Sequence, residues 1–558
     1  MNWDCIIIGG GPAGTTVASL LLKYRPNTSV LIIESGAFPR FHTGESLVTE
    51  INLILDEMGV FEAINEAGFV RKFGATFVWG EDRTPAELIF ADLERPNTPA
   101  VGTAYSWHVE RARYDAILLD HAEQLGATVR RQEAVTGLLK NGEQVVGVTT
   151  ASGETHSARF VVDATGQSGL CGSLSDREMD PRLKNMASFA YFRGFQFDDD
   201  LNGPPGESRA LIVSHAAGWS WLFPIRDDIV SVGTVRAIAA QQADTERTPL
   251  EVIQAAIDAS PELSRVLSDA TPVLDDPERL PSRHVRDFSY TSRTIHSPGL
   301  LRTGDAAGFV DPILSVGCFL SQFTARLLAY ALNTVLSDDS VDEERILSAY
   351  AAHVTDTLSA FRELTYFYYG FNGHVDEWWQ LANDLVRDTT FWEAVSDRQA
   401  FLQFATGFAA NSSAFREANT LFDLEFLVGM FNQQRAEAAP LEPKVPRLQD
   451  NQRIQLKGPV ELTKSAVPID GKGRMAPSLR VRVSTADGSQ AEGAMKRFHI
   501  PPSMAPLLDL MSDPHTLTEL SERMIRTLGV PDTQREAVGR YTKAIVQHLV
   551  RRGWAQTH

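Results

Sequence analysis

Three glycines near the start of the chain have the spacing needed to cradle a phosphate. The run Asp4-Cys5-Ile6-Ile7-Ile8 reads as a buried strand and passes straight into Gly9-Gly10-Gly11-Pro12-Ala13-Gly14, after which a helical pattern continues to about Lys23. In that order Gly9 permits a tight turn, Gly11 lets a pyrophosphate approach the backbone, and Gly14 lets helix and strand pack closely, while free N–H groups at the helix start hold the phosphates. A second apolar run, Val30-Leu31-Ile32-Ile33, ends in Glu34, twenty residues beyond Gly14. A carboxylate there accepts hydroxyl protons of an adenosine ribose. Gly9, Gly11, Ala13, Gly14 and Glu34 are therefore the expected dinucleotide contacts. A second notable pair is Trp219 and Trp221 in Gly218-Trp219-Ser220-Trp221-Leu222-Phe223-Pro224. At a spacing of two, both rings stand on one face of a strand, where they screen a reactive centre or fill a core. The 13 histidines form no HxH or HExxH pattern and the three cysteines show no ligand spacing, so no metal ion is expected.

The kind of dinucleotide is indicated further along. Leu301-Arg302-Thr303-Gly304-Asp305-Ala306-Ala307-Gly308 places an acid in a turn of small residues. It resembles the second fingerprint of flavoprotein hydroxylases, in which the aspartate holds the ribityl or pyrophosphate part of FAD, a role the resemblance gives to Gly304 and Asp305. Phe160-Val161-Val162-Asp163-Ala164-Thr165-Gly166 is similar to that family's middle motif. Val109-Glu110-Arg111-Ala112-Arg113-Tyr114-Asp115 looks like the segment whose first arginine lies over the FAD phosphates, here Arg111. There is no second GxGxxG for NADPH, so the flavin would be reduced by a separate NAD(P)H-dependent flavin reductase.

Four more segments narrow the resemblance to flavin-dependent halogenases. The Trp219–Trp221 run resembles their WxWxIP signature, with Phe223 in place of isoleucine. Gly44-Glu45-Ser46-Leu47 resembles the GESL segment beside the flavin, which assigns Glu45 and Ser46 to the cofactor, with Arg40 upstream within reach of its phosphates. Val70-Arg71-Lys72-Phe73-Gly74-Ala75-Thr76-Phe77-Val78-Trp79-Gly80 resembles the segment carrying the catalytic lysine, which maps to Lys72. Asp311-Pro312-Ile313-Leu314-Ser315-Val316-Gly317 resembles the DPxxSSG stretch of the non-tryptophan halogenases. The resemblance places Pro312 at the flavin and makes Ser315, Val316 and Gly317 the halide turn. Arg286-Asp287-Phe288-Ser289-Tyr290 looks like a segment of one subgroup in which the aspartate is esterified to the flavin; a covalent link and an ordinary flavin contact through Asp287 both stay open. The resemblance covers roughly residues 1–430.

What it implies is an FADH2-dependent enzyme that uses O2 and chloride or bromide to make hypohalous acid. Lys72 would hold that oxidant by hydrogen bonding or as a haloamine, and desolvation of the lysine assists either route. Trp219 and Trp221 would part the flavin from the substrate. Two departures matter. Tryptophan halogenases carry a glutamate just before the halide turn, and here that position is Leu314, which argues against free tryptophan as substrate. Val316 stands where relatives have Ser or Thr, which keeps backbone donors but removes a hydroxyl. The expected substrate is an electron-rich carbon of a phenol, pyrrole or activated CH, on a small or carrier-tethered molecule. A monooxygenase or reductase of the same fold, or a catalytically silent flavin-binding partner protein, are the alternative readings.

The elements that must position these residues fall into three textures over 558 residues. Residues 1–355 mix β-branched runs with helical patterns, expected at 4–8, 29–34, 144–150, 159–163 and 229–235; this is an α/β, Rossmann-like, flavoprotein hydroxylase-type domain with an inserted β-sheet substrate domain. Residues 356–440 form a helical extension rich in aromatics, followed by a proline-stiffened linker at 439–446. Residues 450–558 read as a small α+β, winged-helix-like module, with strands near 479–484 and 494–500 and three helices up to Trp554. The net charge of −19 argues against nucleic acid as a partner. From residue 451 onward, 16 Lys+Arg face 10 Asp+Glu, so the whole-chain charge splits into +6 there and −25 before it. That contrast suits recruitment of an acidic acyl or peptidyl carrier protein, or a leader peptide. No apolar run reaches the roughly 18 residues of a membrane span, and the three cysteines suit a reducing cytoplasm.

Overall fold

The computed structural model describes residues 2–78, 83, 85–92, 104–169, 176–215, 218–238, 247–274, 282–286, 288–370, 448, 451–469, 472–483, 498–531, 534–551 and 554–558. Its first sheet is built on the apolar strand Asn2–Ile8, which lies parallel between Val30–Glu34 and Thr155–Asp163. Thr128–Arg131 continues the sheet beside Val30–Glu34, and Leu300–Arg302 continues it beside Thr155–Asp163, again in parallel. The strands read as unbroken apolar runs because both faces are covered, one of them by the helices Pro12–Tyr24 and Gly317–Ser337. A buried polar chain fixes those helices. Gln322 donates to Thr16 Oγ1 at 3.0 Å and accepts from Tyr114 of the helix Arg111–Gln124 at 2.8 Å.

The second sheet is mainly antiparallel and follows the order Asn185–Arg193, Ile229–Ala237, Gly218–Pro224, Ser208–His215, Val70–Val78, Pro85–Ile89. Ser208–His215 runs parallel to Val70–Val78, and the short strand Ser106–His108 pairs with the start of Val70–Val78. This sheet therefore brings the lysine strand and the tryptophan strand to within one strand of each other. The expected strands at 4–8, 159–163 and 229–235 are present within longer elements, the one at 144–150 has the expected bounds, and the one at 29–34 starts a residue later, at Val30.

The long helix Glu343–Gly370 runs unbroken across the expected boundary at 355/356, so the start of the helical extension is continuous with the core domain. The proline-rich linker lies outside the described residues. Beyond it, Ala505–Leu510, His515–Thr516, Leu517–Leu528, Arg535–Arg551 and Ala555–Thr557 give the helix, strand, helix, helix, strand order of a winged helix. Ile454, Leu507, Leu520, Met524, Val546, Leu549 and Trp554 form its own core. The hairpin Val460–Ile469/Arg474–Val483 departs from a free-standing module. Its Ala466 and Met475 are buried in the main core. Asn333 donates to the Gly473 carbonyl at 2.6 Å, the Met475 N–H donates to Thr334 at 2.8 Å, and His353 bonds the Ala466 carbonyl at 3.0 Å. Gly473 turns the hairpin with φ +61°, and a Cβ there would meet the Tyr24 ring at 2.3 Å. Among the described residues no helix is long and apolar enough to cross a membrane.

Candidate active site

Three of the expected cofactor motifs, those of Gly9–Gly14, Asp163–Gly166 and Thr303–Asp305, converge at the carboxyl ends of the parallel strands, where an open α/β sheet binds ligands. Gly9 has φ +109°, and a Cβ on it would lie 2.4 Å from the Ala164 carbonyl oxygen; on Gly14 it would lie 2.0 Å from the Gly9 carbonyl oxygen. Strand, turn and helix meet too closely there for any side chain. Gly11 differs, because a Cβ would meet nothing nearer than Arg40 Nη2 at 3.5 Å, so its side of the turn is open beneath that guanidinium. Glu34 accepts the N–H groups of Gly10 and Gly36, each at 2.7 Å, and pairs with Arg40 at 3.5 Å. A carboxylate fixed in this way keeps further lone pairs for ribose hydroxyls. Arg302 Nε lies 3.8 Å from Asp163, and Gly304 packs on Ala13, where an added Cβ would come within 2.7 Å of the alanine methyl. Half-buried Asp305 accepts from Ser321 at 2.9 Å.

Arg111 is buried and forked onto Asp115, with bonds of 2.8 and 3.1 Å. Its other end donates to the carbonyls of Thr43 and Gly44. Cys318 also points its thiol at the Gly44 carbonyl, at 3.4 Å. The Gly44–Leu47 segment is thus held between Arg111 and the start of the helix Gly317–Ser337.

Lys72 is 2% exposed. Its Nζ donates to Ser46 Oγ and to the Leu47 carbonyl, both at 2.9 Å, and lies 5.5 Å from the centre of the Phe90 ring. Burial pulls its pKa from 10.5 down to about 7, because an ammonium loses hydration that two neutral acceptors replace only in part. Lys72 is therefore a buried residue and not a solvated surface lysine. Glu45, the neighbour of Ser46, is also buried; burial pushes its carboxyl up to about 7 against the hydrogen bonds from Tyr191 and Ser231.

Trp219 and Trp221 share one strand face, with ring centres 5.9 Å apart. Trp221 stacks on Phe223 at 6.0 Å, and Phe223 stacks on His108 at 5.6 Å, so a row of rings runs from the tryptophan pair towards Lys72. Gly233 makes room for that row, since a Cβ on it would strike the Trp221 ring at 2.1 Å. The indole N–H of Trp221 points to Ser231 at 3.4 Å and that of Trp219 to Tyr369 at 2.7 Å.

At the turn expected to hold halide, Asp311 caps the Ile313 N–H at 3.0 Å, Pro312 opens a short 3-10 turn, and Ser315 takes the left-handed conformation with φ +57°. Val316 is the N-cap of the 21-residue helix Gly317–Ser337, whose first internal bond joins Leu320 N–H to the Val316 carbonyl at 2.8 Å. The N–H groups before Leu320 have no partner within the helix, and the helix dipole favours an anion beside them. Asp287 lies outside the described residues. Away from this site, Glu133, Glu154 and His156 bring ligand-type atoms within 4.8 Å of one another, but Arg130 pairs with both acids, at 3.9 and 3.6 Å, which accounts for the cluster without an ion.

This arrangement agrees with what the chain is similar to. The family model described as tryptophan halogenase matches residues 4–96 and 89–435. The chain belongs to the tryptophan halogenase family. A tryptophan 2-halogenase of Chondromyces crocatus is 31% identical over 344 residues, covering 60% of this chain and 62% of that protein. The chain thus spans less than two thirds of that relative. A 1H-pyrrole-2-carbonyl-[peptidyl-carrier protein] chlorinase of Pseudomonas fluorescens is 28% identical, covering 66% of this chain and 84% of that one. Among solved structures, a flavin-dependent brominase superposes with a TM-score of 0.64 at 25% identity, covering 78% of this chain and 100% of its own. A further flavin-dependent halogenase, at 24% identity and TM-score 0.69, matches in fold over 100% of this chain and 96% of its own.

For this halogenase-family chain the expected site residues fall into two groups, apart from the turn formed by Pro312, Ser315, Val316 and Gly317 and from Asp287, which lies outside the described residues. Gly9, Gly11, Ala13, Gly14, Glu34, Arg40, Arg111, Gly304 and Asp305 surround the glycine-rich turn expected to hold the nucleotide. Lys72, Glu45, Ser46, Trp219 and Trp221 line the buried face of the second sheet. Sequence reasoning missed His108, Tyr191 and Tyr369. His108 directly precedes the Val109–Asp115 motif, a signal that was available, whereas Tyr191 and Tyr369 lie far along the chain in unremarkable runs.

Proposed function

We propose that this protein is an FADH2-dependent halogenase that places chlorine or bromine on an electron-rich carbon of a small or carrier-tethered substrate. The observation that carries this reading is Lys72: a fully buried lysine bonded to Ser46 of the GESL-like segment and titrating near neutrality. Burying an amine costs several kcal/mol, and nothing in simple core packing calls for one.

The residues fit FAD: an open turn at Gly11 under Arg40, an anchored Glu34 for the ribose, and Arg111 and Asp305 further along. Bound reduced FAD supplies the electrons with which O2 turns halide into hypohalous acid. The chain's own residues do the rest. The N–H groups at Val316 and Gly317, with Ser315 turning the backbone away, offer donors for halide; Val316 is 1% exposed, so its side chain offers no competing group. Trp219 and Trp221 form a wall that excludes water from the path to Lys72. Lys72, part amine near neutral pH, holds the oxidant by hydrogen bonding or as a haloamine and presents the halogen to substrate. Leu314, buried behind the turn, gives no carboxylate for an indole, which favours phenols or pyrroles over free tryptophan. The relative that chlorinates a carrier-bound pyrrole, and the +6 charge after residue 450, support recruitment of an acidic carrier protein or peptide by the C-terminal module. A separate flavin reductase would supply FADH2.

The test supplies FADH2 from a reductase, with O2, chloride or bromide, and a simple phenol, and reads the product by mass spectrometry. Halogenated phenol from the parent and none from Lys72→Ala, with flavin binding unchanged, is the expected result. Hydroxylated product without halogen would assign a monooxygenase instead.

A further inference from the structure

Beside Lys72 lies a second polar side chain that the expected mechanism leaves unused. His108 is 0% exposed, and among the described residues neither of its ring nitrogens has a hydrogen-bond partner. Leaving buried polar groups unpaired is costly, and native proteins rarely do so without a ligand, a water or a function to account for it. Its position is fixed from three sides. It pairs with Val70, two residues before Lys72 on the same strand, so pleating puts both side chains on one face of the sheet. It forms an isolated bridge with Ser46, whose hydroxyl receives the Lys72 N–H. Its ring stacks on Phe223 with an interplanar angle of 16°, which fixes the plane of the imidazole.

Resting on the halogenase reading above, we propose that His108 and Lys72 together form the site that receives hypohalous acid, with His108 as its second binding group. Hypohalous acid carries one O–H donor and one oxygen acceptor. A neutral imidazole has one donor and one acceptor nitrogen, and both are free here. Lys72 as an ammonium has given two of its three N–H groups to Ser46 and Leu47, and the third remains. The imidazole lone pair takes the O–H of the acid and the lysine N–H takes its oxygen, which leaves the halogen pointing away towards substrate. Burial, with the adjacent lysine charge, holds the His108 pKa well below its usual range, so the acceptor nitrogen stays available at neutral pH. One contact would let the oxidant swing and escape; two fix its direction.

The experiment uses the full-length enzyme with FADH2, O2, chloride and phenol, and adds taurine in bulk solution to trap escaping oxidant as its chloramine. His108→Phe keeps the ring on Phe223 and removes both nitrogens, whereas His108→Gln keeps one donor and one acceptor. His108→Phe should bind FAD and raise the taurine-trapped share over halogenated phenol roughly fivefold, the worth of one hydrogen bond, and His108→Gln should recover much of the loss. A second readout needs no flavin: the apoprotein is treated with reagent hypochlorite and chlorination of Lys72 is measured by peptide mass spectrometry, where His108→Phe should lower the label relative to the parent. If the phenylalanine does not fit, His108→Leu carries the same expectation. Parent-like partition and parent-like labelling in the apolar variants would overturn the proposal. If the parent yields no oxidant in either product, the halogenase reading itself fails; if the parent halogenates and the variants match it, only the His108 site falls.

Discussion

The indole N–H of Trp219 donates to the hydroxyl of Tyr369 at 2.7 Å. The same hydroxyl lies 3.2 Å from Asp311 Oδ2, so one phenol joins the tryptophan strand, the long helix and the aspartate that opens the halide turn. Burial pushes the Asp311 carboxyl up to about 7, and the bond from Tyr369 is one of the contacts that offset this. Tyr369→Phe keeps the ring but leaves a buried indole donor unpaired, at a cost of about 1–3 kcal/mol. The loss should appear as a lower midpoint of urea unfolding. An unchanged midpoint would mean that the bond contributes nothing in solution.

Lys72 trades stability for chemistry, and the sign of the effect is testable. Its folded pKa, about 7, lies below its ordinary 10.5, so between those values the unfolded chain binds the extra proton. Stability therefore rises with pH across that window, and below pH 7 the full cost of the buried charge is present. Lys72→Met removes the charge at similar length. It should stabilise the protein at neutral pH by a few kcal/mol at most, less the contribution of the two lost hydrogen bonds. Its unfolding free energy should no longer climb between pH 7 and 10. A variant whose unfolding free energy climbs between pH 7 and 10 as steeply as the parent's would contradict the burial argument.

Two glycines of one turn should fail in different ways. Gly11→Val places its side chain on the open side, at an ordinary distance from Arg40, and should give folded protein without flavin absorbance. Gly14→Ala drives a methyl to 2.0 Å from the Gly9 carbonyl oxygen and should destabilise the fold itself. Circular dichroism with flavin fluorescence separates the two. Flavin retained by Gly11→Val would remove the pyrophosphate from that turn.

The C-terminal hairpin should be needed for stability as well as for any partner. Met475 is 4% exposed in the main core, and Met475→Ala should cost about 2–5 kcal/mol. Ending the chain near 447 uncovers that core face, so the truncated protein should unfold at lower temperature while every expected FAD motif remains. If the module also recruits an acidic carrier, added salt should weaken turnover on the tethered substrate in the intact enzyme and leave it unchanged after truncation. Equal salt response in both would rule out recruitment.

The cofactor end of the site was legible because its contacts are local or carried by backbone. Gly9, Gly11 and Gly14 act through one turn, Glu34 follows at a set distance, and the strand signals around them are continuous apolar runs. The boundary at 355/356 was not legible, because the pattern of Glu343–Gly370 changes from small apolar residues to aromatics without any break in backbone geometry. The anchored hairpin was also hidden, since Ala466 and Met475 look no different in sequence from residues of the module's own core.

By itself the sequence determined a Rossmann-like dinucleotide turn, the order of the flavoprotein motifs, and which lysine, tryptophans and halide turn belong together as a family pattern. Whether Lys72 was a solvated surface residue or a buried near-neutral amine was decided only by the second sheet. That sheet pairs Val70–Val78 with Ser106–His108 and closes Ser46, Leu47 and Phe90 over the amine. Tertiary structure likewise set His108 beside the lysine and Tyr369 between Trp219 and Asp311. These are contacts between segments far apart in the chain, and a pKa or an unpaired nitrogen depends on what surrounds a group in space. Sequence spacing carries the periodicity of a strand or helix, but it carries neither the dielectric around a side chain nor the partners that reach it from across the fold.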